Sequence, residues 1–441
     1  MSQPPVYLPE GTRLTRVVWV DNANVARAKA FHTASLARFV QQGVGIAAAQ
    51  MALPAHCDAI APESGLTPAG EIRLVPDWST CVALPHAPGH ARVLGDMRLN
   101  GADWPLCPRG FLRRVLTRAQ DQGLTFQTAF ETEFYWVRQT PDGSVAPILH
   151  SVFASTLTLD TLRPAIDDLV DSLVGQGLPV ELAHGECGPG QMEISLHHTD
   201  PLTAADRMVA LRETAHAIGL KHGYATTFLP KPFLHAAGSG AHVHLSLWRE
   251  GHNLLPDPKG LGGLSKEGLA GIAGILDHLP ALCAVLNPVT NSYRRLVPSS
   301  WSGSHGAWGF ENRETAVRVL GGPQGSTQFE LKTPDCAANP HLAMGAMLAA
   351  VLDGLARGLH PGHPVDRDPA TLAPYEREKL GIRTLPASLG DALERFAADK
   401  VLQEAFGPGL ARAFLAVRRS EWNHMRQFTH EDEVRLLLTR Y

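Results

Sequence analysis

The sequence predicts an α+β protein built as two units: a small strand-rich one, then a larger one in which strands and helices alternate. Three observations predict this. A chain of 441 residues with 44% hydrophobic side chains is long for one domain and can build a substantial core. Its opening stretch carries short β-favouring runs separated by turn signals. Near Pro108 the pattern changes to helical periodicity, so the units are divided as 1–106 and 107–441.

Residues 15–31 read as a strand, a turn at Asp21-Asn22-Ala23-Asn24 and a second strand, followed by a short helix from His32 to Val40. Residues 71–76 and 91–97 read as further strands. The run GFLRRVLTRAQDQG after Pro108 has helical spacing and a terminal glycine. Strands and helices then alternate to about residue 355. Residues 361–390, rich in Pro, Gly and Asp, read as an extended surface segment, and helices resume from Leu389, with a charged one at 415–427.

Composition excludes several classes. Lys and Arg number 39 against 43 Asp and Glu, a net charge of −4, which leaves no basic footprint for nucleic acid. No uncharged apolar run reaches membrane-spanning length. The opening MSQPPVYLPEGT lacks the charged and apolar parts of a signal peptide. Six cysteines lie far apart, with neither zinc-ribbon nor disulfide spacing, so a reducing cytoplasm is the expected compartment.

Four segments share an unusual pattern. In a strand, residues i and i+2 face the same way. Glu131 and Glu133 therefore share one face of FETEF, and Glu193 takes the polar face of QMEISL. His242, His244 and Ser246 line one face of HVHLSL, and Glu330 and Lys332 one face of FELK. Glu186 adds a carboxylate just before the turn Cys187-Gly188-Pro189-Gly190. One such strand alone reads as a sheet with a wet face. Four together, in a residue type that strands disfavour, point to one shared cavity. Carboxylates crowded there cannot all stay ionised without cations. Oxygen ligands with an imidazole suit Mg²⁺ or Mn²⁺ better than zinc.

These residues resemble the glutamine synthetase family over nearly the whole chain. The resemblance is carried by ETEF (131–134), GPGQMEI (188–194), GSGAHVHLSL (238–247), NSYRRLVP (291–298), ENRETAVRV (311–319) and FELKTPDCAANPHL (329–342). The wording around WSGSHGAWGFENRE is similar to the type I-like branch with nodulin-fused and FluG-like synthetase domains, with a gamma-glutamyl-amine ligase as the expected activity. The resemblance implies a β-grasp N-terminal domain and a catalytic domain with a curved antiparallel sheet flanked by helices. It also implies a ring of subunits, expected to be a dodecamer, whose active sites lie between one catalytic domain and a neighbour's N-terminal domain.

Carried over by motif, Glu133, Glu186 and Glu193 would hold one metal ion, and Glu131, His242 and Glu330 a second. Glu181, His244, Ser246 and Arg318 would lie along ATP, and Arg313 would meet the transferring phosphoryl group. Gly238, Arg295 and Lys332 would position a glutamate-like acid. The implied reaction phosphorylates a carboxylate with ATP, and an amine then displaces phosphate to leave an amide. Metals and a fixed arginine would neutralise the charge that develops.

Departures from the family gather on the amine side. Trp301 stands where the family places a flap glutamate that binds and deprotonates ammonium. The stretch Gly43–Ala49 has no carboxylate where the family uses an aspartate. Ala237, Lys332 and Gln328 replace an asparagine and two arginines. Ammonium needs negative charge and a base, whereas Trp301 and Ala47 to Ala49 suit an organic amine with an apolar body. His305, Glu311 and Glu314 are candidate bases. Two other readings stay open: a glutamine synthetase using ammonia through relocated residues, and a catalytically silent scaffold. The first would share the ligase motifs, and the second would be expected to lose metal ligands. His184, His197 and His198 are undecided, Asp335 and Asn339 read as a turn and a helix cap, and Gly260–Gly263 as a loop.

Overall fold

The structure, a computed structural model, describes residues 6, 8–140, 143–321 and 327–441; part of the opening segment read for a leader, residues 1–5 and 7, lies outside them. The first unit is a mixed sheet of β1 (Leu14–Val20), β2 (Ala26–His32), β3 (Val44–Ala47), β4 (Glu71–Ala83), β5 (His90–Leu99) and β6 (Ala102–Asp103). The order is β2-β1-β5-β4-β3, with β6 on β5. β1 and β5 run parallel and the other pairs antiparallel. Val17, Trp19, Ile46, Ile72, Leu74 and Val93 form its core, onto which α1 (Leu36–Gln42) lays Leu36 and Phe39. β4 runs well past the expected residue 76, through a register shift between Asp77 and Val82. Its far half is evenly half-buried, so no alternation marks it in the sequence.

The larger unit opens with α2 (Pro108–Gln120), whose Pro108 sits in the first turn, where a missing N–H costs nothing. Then come β7 (Thr125–Gln139), β8 (Val145–Pro147), α3 (Thr156–Val174), β9 (Val180–Gly185), β10 (Gln191–Leu196), α4 (Pro201–Lys221), β11 (Ala225–Thr227), β12 (Ala241–Arg249) and β13 (His252–Asn253). After them follow α5 (Lys266–Leu286), α6 (Ser292–Arg295), β14 (His305–Gly306), β15 (Trp308–Phe310), β16 (Val317–Leu320), β17 (Gln328–Leu331) and α7 (Pro340–Arg357). The chain closes with α8 (Pro374–Lys379), β18 (Arg383–Thr384), α9 (Leu389–Ala398), α10 (Lys400–Phe406), α11 (Pro408–Met425) and α12 (His430–Leu437).

A curved sheet ordered β15-β16-β17-β12-β7-β10-β9 organises this unit, antiparallel except for β15 beside β16. Phe130, Phe134 and Trp136 of β7, with Met192 and Ile194 of β10, turn into the helical core, leaving the opposite face for the glutamates. α5 and α7 cross closely because Gly274 and Gly354 face each other; a Cβ on Gly274 would lie 2.1 Å from the Ala350 carbonyl. α5 is long and apolar enough by composition to cross a membrane, and 83% of its most apolar window is buried inside the protein. The segment 361–390 is not simply extended. It holds α8, started by Pro374 and by the Glu376 carboxylate accepting from the Ala373 N–H, and β18, which pairs with β14.

The two units meet through buried polar groups. Arg109 binds Asp77 and Asp96 of the first sheet and Asp206 of α4, each at 2.8 Å. The turn after β1 is wholly buried: Asn24 donates to the Cys336 carbonyl, and Asn339 donates to that of Asp21. Asn339 also caps α7, and Asp335 closes the turn before it by accepting from the Ala337 N–H.

Candidate active site

Strand register builds the site. Glu193 of β10 lies opposite Glu133 of β7, and Glu131 of β7 opposite His242 of β12. His244 of β12 lies opposite Glu330 of β17, which in turn faces Arg318 of β16. The polar faces read from the sequence thus become one row across five strands. A slip of one residue in any of them would turn its ligands into the core.

Within this row the contacts are short. His242 Nδ1 lies 3.3 Å from both Glu131 Oε2 and Glu330 Oε1, and its Nε2 is 3.7 Å from Glu133. Ligand atoms of Glu131, His244 and Glu330 fall within 4.8 Å of one another, as do those of His184, Glu186 and Glu193. His242 thus touches Glu131 and Glu330, the two residues expected with it, and also reaches Glu133, while His184 lies 3.1 Å from Glu186. His184 was undecided from sequence, although its position two before Glu186 was a usable signal. Phe153, half-exposed, packs its ring edge-on to His184.

The electrostatics call for cations. Burial and the neighbouring Glu131, Glu133 and Glu186 push Glu193 up to about 9. Burial also raises Glu131, but the imidazoles of His242 and His244 outweigh it and hold the group well below the ordinary range. Glu330 is likewise buried, yet Lys332 and the two histidines bring it down to about 2. His244 Nε2 lies 2.9 Å from Glu131 Oε1, as an ion pair. Imidazoles set among carboxylates that cannot all ionise fit a site for divalent ions.

The loop before β12 brings a cation to this cluster. A Cβ on Gly240 would lie 2.6 Å from His242 Nε2, 2.8 Å from Arg295 and 3.0 Å from Glu133, so only glycine lets the three approach. One on Gly238 would lie 2.7 Å from Arg295 Cγ. Arg295 is buried and donates to the carbonyls of Lys332 and Thr333. Gln191, not singled out by sequence, donates to Glu133 and to the Gly238 carbonyl while accepting from the Gly188 N–H. Tyr135 donates to the carbonyl of Ala237. Lys332 is bound to Glu330 at 3.0 Å.

At the far end of the row, Ser246, Trp248, His198 and Gln328 line a cavity of about 510 Å³. Trp248 continues the 242-244-246 alternation and donates to Ser246 Oγ, a signal the motif reading passed over. Arg318 is buried between Glu311 (2.6 Å) and Glu330 (3.4 Å). Glu181 stays outside the carboxylate groups, half-exposed and 3.5 Å from His197.

The segment after α6 closes the other side. Trp301 is 54% exposed and has a left-handed φ of 57°. Its N–H points at the Glu314 carboxylate. Arg313 is exposed and makes no hydrogen bond or ion pair among the described residues. Of the three candidate bases, His305 is buried between Ser304 and Arg377, and burial followed by Arg377 lowers it. Glu311 is tied to Arg318, while Glu314 has no cationic partner within ion-pair distance among the described residues. In the first unit, Ala49 is buried and Ala47 and Ala48 are half-buried. Glu71, opposite Ala47 across the β3–β4 pair, lays a carboxylate over Gly45 and pairs with Arg73.

Comparison with known proteins agrees with this geometry. Residues 105–437 match the description "Glutamine synthetase, catalytic domain" and residues 9–104 "Glutamine synthetase N-terminal domain". A gamma-glutamylpolyamine synthetase, GlnA3 of Streptomyces coelicolor, is 36% identical over 419 residues, covering 93% of this chain and 90% of that protein. The type-1 glutamine synthetase 1 of Dictyostelium discoideum is 31% identical, covering 97% and 89%. A crystal structure described as a novel glutamine synthase homolog superposes with a TM-score of 0.86 at 31% identity, covering 99% of this chain and all of that one.

Proposed function

The chain belongs to the glutamine synthetase family of ATP-dependent ligases that form C–N bonds, and from that premise we propose that it joins the side-chain carboxylate of glutamate, or a related acid, to an organic amine. The observation that carries the amine half is Trp301: an exposed indole occupies the flap position at which the family resemblance expects a carboxylate. The similarity to a protein named for polyamine supports the same reading. The similarity to proteins named glutamine synthetase favours the second reading, ammonia as acceptor.

In the proposed reaction a carboxylate oxygen of the acid attacks the γ-phosphorus of ATP, releasing ADP and leaving an acyl phosphate. The amine nitrogen attacks the acyl carbon, phosphate departs, and the nitrogen loses a proton. Glu133, Glu186 and Glu193 with His184, and Glu131, His242 and Glu330 with His244, are the residues that would hold two or more Mg²⁺ or Mn²⁺ ions. Bound there, such ions supply charge neutralisation for the phosphates. Arg313, exposed and without a partner among the described residues, would meet the phosphoryl oxygens as charge builds on them. Arg295, held against Gly238 and Gly240, would fix the acid's carboxylate. Ser246, Trp248 and Gln328 would receive the base of ATP in their cavity, with Arg318 and His244 nearer the phosphates. Glu181 would lie at the nucleotide's edge.

A division into residues 1–106 and 107–441, and self-association into a ring, complete the proposal. ATP-dependent phosphate release with glutamate, across ammonia and a panel of alkyl-, aryl- and polyamines with Mg²⁺ or Mn²⁺, tests it. An organic amine is expected to surpass ammonia. Turnover with ammonia above that with every organic amine would overturn the amine assignment and leave the ligase.

A further inference from the structure

We propose that Glu314 is the positioning residue of the amine side: its carboxylate holds the Trp301 peptide, and with it the indole, where the carbon body of an alkyl- or arylamine is received. This rests on the amine reading above. Trp301 is a bulky residue at φ 57°, a conformation that costs on the order of 1–2 kcal/mol outside glycine. Something must hold it there. Both oxygens of Glu314 accept from its N–H, at 3.2 and 3.3 Å, and the Ser300 N–H is a further donor to the same carboxylate.

The rest of the flap is fixed equally tightly. Ser299, also left-handed at φ 54°, donates to Asp368 at 2.6 Å. The hydroxyls of Ser300 and Ser302 donate to the Val297 carbonyl. Gly303 accepts from Thr333, next to Lys332, and passes so near Ala316 that a Cβ would stand 2.9 Å from its Cα. A segment tied down at every residue from 299 to 303 carries an indole that is left 54% exposed. Burial gains from this ring are forgone, so the backbone order serves a surface presented to something else.

Glu314 is distinctive among the acidic residues here. Glu311 is paired with Arg318, and Glu330 with Lys332 and Arg318, whereas Glu314 has no ion-pair partner among the described residues and accepts from peptide N–H groups of the flap. It directly follows the exposed Arg313, so the flap's anchor and that guanidinium are neighbours in the chain. The occupant that fits the indole is an amine whose carbon body lies on the ring, with its nitrogen directed toward the Glu330–Lys332 end of the row.

The test uses the full chain with the best amine from the panel. Glu314→Ala is expected to raise the KM for amine about tenfold, the worth of one charge-assisted hydrogen bond, while the KM values for glutamate and ATP stay within about twofold. Glu314→Gln keeps an acceptor oxygen and is expected to recover most of the loss. In a Trp301→Gly background, where the left-handed backbone needs no holding, Glu314→Ala is expected to add nothing further. An unchanged amine KM in Glu314→Ala overturns the proposal, as does an equal rise in all three KM values with no recovery in Glu314→Gln. If the unaltered protein prefers ammonia, the amine reading fails first, which the panel records before any variant is made.

Discussion

Glu193 and Glu133 stand directly opposite one another on neighbouring antiparallel strands, both almost wholly buried. Like charges so placed destabilise a sheet. With Glu193 pushed up to about 9 by burial and by its carboxylate neighbours, the metal-free protein keeps a proton there at neutral pH. Binding Mn²⁺ at pH 7 should therefore release about one proton, since metal ligation requires the carboxylate. Calorimetry in two buffers of different ionisation heat measures this. Glu193→Gln should abolish the release, and Mn²⁺ at about a hundredfold its Kd should add about 2.7 kcal/mol of stability to the unaltered protein.

Gly240→Ala should stop catalysis with little unfolding. Its Cβ would enter the space between His242, Arg295 and Glu133, displacing each by tenths of an ångström. A misplacement of this kind costs about a hundredfold in rate when it disturbs reacting groups. Steady-state kinetics and thermal melting, measured together, check it; a drop in melting temperature matching the loss of rate would contradict it.

Much of this arrangement was legible in the sequence, and the parts that were not share a cause. Glu131, Glu133, Glu193 and Glu330 announced themselves because strands seldom carry glutamate on alternate positions. What periodicity cannot give is which strands are neighbours and in what register. Hence the reach of His242 to Glu133 as well as to Glu131, and the approach of His184 to Glu186, could not be read from one strand at a time. The far half of β4 escaped because it is half-buried on both faces, and α8 because a Pro- and Gly-rich segment hides a six-residue helix. Glu71 beside Gly45 escaped because the reading followed one strand and not its partner.

Trp248→Ala should weaken nucleotide use selectively. The indole lines the 510 Å³ cavity with Ser246 and Gln328. Loss of an aromatic stacking surface is worth about 1 kcal/mol, so the KM for ATP should rise about fivefold and that for glutamate should not. Initial-rate kinetics with ATP varied at saturating acid and amine decide it.

Arg109→Met should cost about 3 kcal/mol. It removes the cation shared by Asp77, Asp96 and Asp206, leaving Arg113 beside the first two and His341 beside the third. Three partly buried carboxylates at the junction of the two units then lose the guanidinium they share. Equilibrium denaturation measures the loss.

His278 donates or accepts between Asp399 (2.6 Å) and Asp353 (3.0 Å), joining α5, α7 and the start of α10. Burial lowers its pKa, but the two aspartates outweigh burial and the net shift is upward. A raised histidine contributes stability fully below its unfolded value of about 6.5 and loses it as pH rises through the folded value. The stability gap between the unaltered protein and His278→Asn should thus narrow from pH 6 upward, to about the value of neutral hydrogen bonds. Melting curves across that range would show the gap unchanged if the clamp carries no charge.

The row of facing residues on β10, β7, β12 and β17 also sets where this chain can vary in length. One inserted or deleted residue within those strands would invert every ligand beyond it, so lineages must pass them on without gaps. The flap from Val297 to Ser304 and the alanine turn after β3 are under no such rule. On the proposed amine reading, changes in those two loops would alter the amine accepted and leave the register of the carboxylate row untouched.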